Sequence, residues 1–513
     1  MLHILDLPVE LLTKILNELD FRNLLRCKRV CRQLQVIIED AIVLRYKVEL
    51  AINGLEDGPP SSLGASDRLN LLHQREEAWD RLAYKTMKDV EMHRGEVWEL
   101  YGGVLAQGQG QRSLHFYRLP SEIRGIEEEH WKLDLEFAIR DFGMDPTQDL
   151  LVVIERPALP NTSYYPVHLL SLRTGKPHPL APKPAILSHT PRFQTLNFTI
   201  QTCSHHVAVL YHSQVDNGGE LLVWNWKTGD VVMAISGSTV MSFAFLSEHH
   251  LLLVRVQTAN VALVAVDLRT ARTEMTSSDD MDFVCSFNLP SFKPDRVVVD
   301  AMIRSDPAPS WKPSDDLQVP FYTARKERLL VVPICVVQDH NTISMFMLLT
   351  LSSVLLNHIS ETEQARREVA WDDWGPSGSR VMSVPPGLSQ IWVCYVYGTS
   401  ILFPSRFMHG SERYELNVLD FNQDAFRWHL AQFAEDPEEY DKRNPAKLMN
   451  QPMSMGSNGM LFGEAVLTNL PFRLTRTELP VQDRRLQAAM ISEDSVVLVT
   501  TENNIRRYRI LTF

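Results

Sequence analysis

Cys27 and Cys31 stand four residues apart, a spacing that sets two thiolates on one helix face and could begin a zinc site. No further pair of ligands is placed nearby, so packed thiols and no metal are expected. The run Gly102-Gly103-Val104-Leu105-Ala106-Gln107-Gly108-Gln109-Gly110 has glycine spacing that could cradle a phosphate. It lacks the Lys-Ser/Thr of a P-loop and leads into no helix, so a hairpin or loop is expected. His205-His206 and His249-His250 are adjacent pairs, and neighbours on a strand point to opposite faces, which separates them as ligands. Asp279, Asp280 and Asp282, and the pair Asp372-Asp373, could hold calcium or assist hydrolysis in a funnel, but solvated turns account for such runs. Neither a GxSxG elbow nor an HExxH helix occurs. The sequence therefore nominates no catalytic residue, no metal ligand and no cofactor.

Any such residues would be positioned by two kinds of element, with the switch near residue 95. Before it, Leu12, Ile15, Leu16 and Leu19 follow helical spacing, with Pro8 in the first turn, where its missing N–H costs nothing. Asp20 to Asn23 makes a turn, and Leu24, Cys27, Cys31 and Leu34 mark one stripe of a second helix. A third helical stretch runs through Ile38, Ile42 and Tyr46. After the turn-rich segment from Gly54 to Ser66, Asp67 can cap a further helix carrying Leu69, Leu72, Trp79 and Leu82. One apolar stripe must bury against something, so this helix is expected to dock the N-terminal unit onto the rest of the chain.

Beyond residue 95 short runs of Val, Leu, Ile and aromatics alternate with Gly, Asn, Asp and Pro, and no amphipathic helix longer than about ten residues is read there. Strand–turn units recur from Ser113, Tyr165, Glu220, Asn260, Ile343, Arg413 and Asn503, the clearest being LLVWNWKTGDVV from Leu221. Repeated hairpins over so long a stretch are best buried by radial repetition, which predicts a β-propeller of about seven blades. Pro- and Asp-rich insertions, Ser305 to Gln318, Ser405 to Arg413 and Ala434 to Asn458, interrupt it. The third is either a surface loop or an adaptable partner-binding loop. Trp224, Trp226, Trp371, Trp374, Trp392 and Trp428 are expected to be mainly blade packing.

At 513 residues the chain is too long for one compact core, and with 44% apolar and 22% charged residues it is composed to fold. Its formal charge of −12 argues against nucleic acid or an anionic membrane as a partner. Six cysteines without zinc-finger spacing, no basic leader and no apolar run long enough to span a bilayer predict a reduced protein of the cytoplasm or nucleus.

The run LDLPVELLTKILNELDFRNLLRCKRVCRQLQVII, residues 5 to 38, resembles the F-box. The matching positions are Leu7, Pro8, Glu10, Ile15, Leu16, Leu19, Asp20, Leu24, Leu25, Val30 and Cys31, with Leu34 where a tryptophan is common. The segments Gly54 to Ser61 and Arg75 to Trp79 look like F-box proteins of mushroom-forming fungi, and Trp224 to Gly229 is loosely similar to a WD repeat. The resemblance implies an α+β multidomain chain: a helical F-box at 1–48, a linker and connecting helix at 49–94, and an all-β propeller-like recognition domain at 95–513. It implies a non-catalytic substrate receptor that binds the Skp adaptor and, through it, a cullin of a ubiquitin ligase, with an unidentified protein as substrate. The alternative is an F-box-containing interaction scaffold outside a ligase. Leu7, Pro8, Ile15, Leu16, Leu19, Leu24, Val30 and Cys31 are carried over as adaptor-contact or F-box-core positions. A propeller enzyme is a third reading, which convergent carboxylates in a funnel would favour.

Overall fold

The computed structural model describes residues 4–93, 95, 97–157, 164–193, 196–213, 218–257, 260–314, 316–338, 342–360, 366–384, 394–406, 414–455, 461–479, 486–503 and 505–513. Five helices come first: α1 (Val9–Asn17), α2 (Phe21–Lys28), α3 (Arg32–Asp40), α4 (Ile42–Ile52) and α5 (Ala65–Arg81). The boundaries follow from caps. The Asp20 carboxylate accepts from the Asn23 N–H at 3.0 Å and starts α2, and this hydrogen bond holds its carboxyl below the usual range. Cys31 is extended (φ −158°) and forms the N-cap of α3, so α2 has already ended and Cys27 and Cys31 do not share a helix face as the spacing implied. Ala41, extended at ψ 106°, breaks the single third helix into α3 and α4. Gly64, not Asp67, is the N-cap of α5, and Asp67 lies in its first turn.

Seven four- or five-stranded antiparallel blades follow, within residues 98–134, 139–187, 196–277, 240–369, 297–383, 396–478 and 486–512, two of them extended by a short parallel strand. The seven-bladed count agrees with the sequence reading. The first strands of most neighbouring blades touch, and apolar layers fill the gaps between blades. Trp224 and Trp226 are fully buried in one such layer, and Trp374 in another, as blade packing requires. Trp428 is 43% exposed, and Trp392 lies outside the described residues.

Strand character begins earlier than the composition switch near 95. Thr86–His93 pairs along its whole length with Ile505–Thr512, so the last blade is completed by a strand from before the first. That pairing closes the ring and makes Thr86–His93 the outer strand of the last blade. The turn after Trp226 is set by Gly229, whose φ of +83° favours glycine. The Gly102 to Gly110 run is a hairpin arrangement, as expected.

Four described helices interrupt the sheet region, α6 (Ser352–Ser360), α7 (Trp371–Gly378), α8 (Gln423–Glu435) and α9 (Pro437–Arg443), and of these only α8, at 13 residues, exceeds the ten or so that the sequence reading allowed. The units from Ile343 and Arg413 are therefore strand followed by helix. The Asn422 side chain accepts from the Asp424 and Ala425 N–H groups at 3.1 Å and nucleates α8, while Asp436 caps α9 by accepting from Glu439 at 3.1 Å. The described part of the third insertion is thus largely ordered by a cap and a helix. Most of Ser405 to Arg413 lies outside the described residues.

Candidate functional site

The sequence VELLTKILN makes α1 apolar over a wide arc, because Leu11 and Ile15 stand one helix step from Leu12 and Leu16. Only half of that arc is covered. Leu12 (2% exposed) and Leu16 (4%) join Leu24, Ile37, Ile38, Leu44, Val48 and Ile52 in one core, with Leu7, Leu19, Leu25, Cys27 and Leu34 packed against it. Leu11 (47% exposed) and Ile15 (44%) face outward with Val9, and Ile4, Val30, Val36, Ile42 and Val43 are exposed on the same unit. Eight large apolar residues are thus exposed within residues 4–43. Glu10, Lys14, Arg26, Arg29 and Arg32 are exposed on the same helical unit.

The structure sorts the positions nominated from the sequence. Leu16 and Leu24 are core, Leu7, Leu19 and Cys31 are half-buried, and Pro8, Ile15 and Val30 are exposed. Ile4, Val9, Leu11 and Val36 were not nominated. The i, i+4 pair Leu11 and Ile15, offset from Leu12 and Leu16, was the available signal.

This unit is fixed to the propeller by buried polar contacts. Leu55–Asp57, inside the segment read as a linker, pairs antiparallel with Phe321–Thr323, which follows the Ser305 to Gln318 insertion. Arg68, with a side chain 7% exposed, donates to the Asp57 carboxylate (2.6 Å) and to the Pro59 (2.6 Å) and Pro320 (3.1 Å) carbonyls. The Tyr46 hydroxyl donates to Pro320 O (3.0 Å) and to Asp57 (2.9 Å), and the Asn422 amide donates to Ile52 O (2.9 Å). Ala425 of α8 enters the helical core itself.

Helix α5 docks as expected, with Trp79 stacked on Phe513 at 4.3 Å. Beside it Arg75 meets Asp494, while Arg124 from the first blade pairs with Glu493 (2.7 Å) and Asp494. The same Glu493 accepts from the Thr323 hydroxyl at 2.9 Å. Burial opposes ionisation of Asp494, but Arg124 and Arg75 outweigh it and hold the carboxyl below its usual value. A second knot joins Arg473 to Asp80 of α5 (3.0 Å) and to Asp420 (2.9 Å). The exposed apolar face is therefore carried at a set angle to the propeller.

The other residues with possible chemistry do not converge. Asp282 is paired with Arg272 (2.8 Å) and Arg366 (2.9 Å), and Asp279 accepts from Gln257. The arginines Arg255, Arg269, Arg272, Arg296 and Arg304 form no common basic pocket: Arg269 is held by Asp267, Arg272 by Asp282 and Arg296 by Asp295. His205 and His250 are both driven below the usual histidine range, chiefly by burial. Among the described residues no group of three His, Cys, Asp or Glu could hold a metal ion. Arg304 lies elsewhere, in the central channel, where it shares a cavity with Glu99, Asp141 and Asp306. Glu99 and Asp141 come from the first two blades and Asp306 from the segment after Val297–Ala301, and nothing in the sequence places them together.

The family description F-box-like matches residues 4–49, so the chain carries an F-box-like unit ahead of a seven-bladed propeller. No curated protein matches. Among solved structures the chain is similar to hydrazine synthase of Kuenenia stuttgartiensis, at 10% identity and TM-score 0.35, over 81% of this chain and 94% of that one. It is also similar to the polysaccharide lyase Uly1, at 8% identity and TM-score 0.37, over 82% and 90%. An uncharacterized Listeria monocytogenes protein is similar at 8% identity and TM-score 0.31, over 64% and 82%. None of these likenesses carries a functional argument.

Proposed function

We propose that this chain is a non-catalytic substrate receptor of a Skp–cullin–F-box ubiquitin ligase. The observation that carries the reading is the half-uncovered apolar arc of the F-box-like helices, held at a set angle to a large propeller. In this reading Pro8, Ile15 and Val30, joined by Val9, Leu11 and Val36, contact the Skp adaptor, while Leu16 and Leu24 support them from within. Leu7, Leu19 and Cys31 form the half-buried border. The adaptor links the chain to a cullin, and the propeller holds a protein segment near the ubiquitin-charged enzyme, raising its effective concentration there. Such a receptor works in the cytoplasm or nucleus; consistent with that, no described helix is long and apolar enough to cross a membrane.

The test is coexpression of the full chain with the Skp adaptor and then with adaptor plus cullin. A stable ternary complex is expected. A folded chain that captures neither is incompatible with the ligase reading, and capture of adaptor without cullin favours an interaction scaffold acting outside a ligase. One observation favours a second reading, a propeller enzyme: the carboxylates of the channel converge on a cavity. Turnover of any substrate that is lost in Glu99→Gln would support it.

A further inference from the structure

Inside the ring a cavity of about 220 Å³ is lined mainly by the first strands of the first three blades and by the segment from Arg304 to Ala308. Glu99 reaches it from the first blade, Asp141 from the second, and Arg304 and Asp306 from the segment that follows Val297–Ala301. That segment is strapped across one end of the channel. The Gly398 N–H donates to Asp306 O (2.7 Å), the Ala308 N–H to the Tyr101 hydroxyl (3.1 Å) and the Ser204 N–H to the Ser310 hydroxyl (2.8 Å). Trp311 stands edge-on to Tyr101 at 5.5 Å. The strap contributes Arg304, Ser305, Asp306 and Ala308 to the lining, and Phe198 and Thr199 line it from the third blade.

The charged groups in this cavity are left without partners. Glu99 is half-buried, with its Oε2 out of reach of solvent and without a hydrogen bond, and Arg304 Nε is likewise out of reach of solvent and without one. Asp141 accepts only from the Phe142 N–H, at 2.8 Å. Among the described residues none of the three carboxylates lies within ion-pair distance of Arg304. Buried charge left unpaired is costly, and a fold retains it where something else supplies the partner. Arg328 also reaches Asp306, so with Glu99 protonated two carboxylates balance two guanidiniums, and ionising Glu99 leaves one negative charge whose missing partner is a cation. A metal is a poor fit, because no three-ligand group is formed.

We propose that the channel cavity is a subsite for the ammonium or guanidinium end of a narrow aliphatic chain, held by Glu99, Asp141 and Asp306. Two sources present that chemistry, a lysine or arginine side chain of a bound protein segment and a free polyamine. Burial, then mutual repulsion, pushes the Glu99 carboxyl up to about 8, so an entering cation also displaces a proton. As a substrate subsite the cavity rests on the receptor reading; as a cation site it does not.

The test is calorimetric titration of the full chain with spermidine and with capped pentapeptides carrying a central lysine, arginine or norleucine between alanines. A cationic probe is expected to bind at least about tenfold tighter than the norleucine peptide, and Glu99→Gln/Asp306→Asn to weaken it by about tenfold or more. The same variant is expected to melt no lower than wild type, since Glu99 Oε2 has no hydrogen bond to lose and burial disfavours both carboxylates. Asp141→Asn, which keeps the acceptor for Phe142, is the second variant. Binding of spermidine without the peptides assigns the small-molecule source, and peptide binding assigns the protein source. The proposal is overturned if no cationic probe binds at about 10 mM, if norleucine serves as well, or if the variants bind unchanged. It also fails if both variants melt well below wild type, which would make the carboxylates structural. Adaptor capture is measured on the same preparations: its loss with cation binding intact removes the receptor reading alone, and the converse removes the subsite alone.

Discussion

Truncating Leu11 and Ile15 separates a contact surface from a core. Leu11 is 47% and Ile15 44% exposed, whereas Leu16, one residue on, is 4% exposed. For side chains of roughly 180 Å², those exposures leave about 80 Å² of each to be covered, or about 2 kcal/mol per residue at about 25 cal/mol per Å². Alanine retains part of that area, so each truncation is expected to cost about 1 to 1.5 kcal/mol of binding, and the pair about a hundredfold in Kd. Leu16→Ala instead empties a packed site and is expected to cost about 2 to 5 kcal/mol of stability. The assay is calorimetric titration with the Skp adaptor beside urea unfolding of the full chain followed by circular dichroism. Leu11→Ala/Ile15→Ala should lose affinity with an unchanged unfolding midpoint, and Leu16→Ala should shift the midpoint. The reasoning is refuted if the double variant binds like wild type, or if it unfolds as readily as Leu16→Ala.

Three further outcomes follow from buried contacts. A Cβ on Gly58 would lie 1.8 Å from Val319 O, so Gly58→Ala must break the pairing of Leu55–Asp57 with Phe321–Thr323, and a loss above about 2 kcal/mol is expected in urea unfolding. Arg124→Ala leaves Glu493 and Asp494 without their main partner and should cost about 3 to 5 kcal/mol by the same measurement. Because the Asp494 carboxyl is held below 3.8, its stabilising contribution is present above that value and disappears as pH falls below it, so acid unfolding of Arg124→Ala should occur at higher pH than in wild type. The channel works with the opposite sign. Glu99, faced by Asp141, Asp306 and Arg304, keeps its proton to about 8 when folded and releases it near 4.5 when unfolded. Asp306, faced also by Arg328, and Asp141 behave likewise up to about 6. The unliganded chain should therefore lose stability as pH rises through that window, and Glu99→Gln should flatten the profile in thermal melts recorded across it.

Local chemistry determined much of this protein. The spacing of Leu12, Leu16 and Leu24 marked a helical core, the Val- and Leu-rich runs between turn residues marked blades, and the ordered pattern from Leu7 to Cys31 marked the F-box-like unit. These features are legible because helical and strand periodicities are written within a few residues. The helix breaks at Cys31 and Ala41 were missed because an apolar stripe continues across a cap without interruption. Helix α8 was missed although Asn422 stands at its cap, because its apolar residues follow directly on a strand.

Contacts between distant segments were decided only in three dimensions. Thr86–His93 finds Ile505–Thr512 because a ring must close on itself, and nothing local in either strand names the other. Whether Ile15 or Leu16 is buried depends on how many neighbours reach each side of one helix, a property of packing and not of spacing. Glu99, Asp141 and Asp306 lie apart in the chain and share a cavity with Arg304 only in the folded ring, where burial raises all three carboxyls. Sequence specifies elements through nearest neighbours; sites arise where the topology brings non-neighbours together.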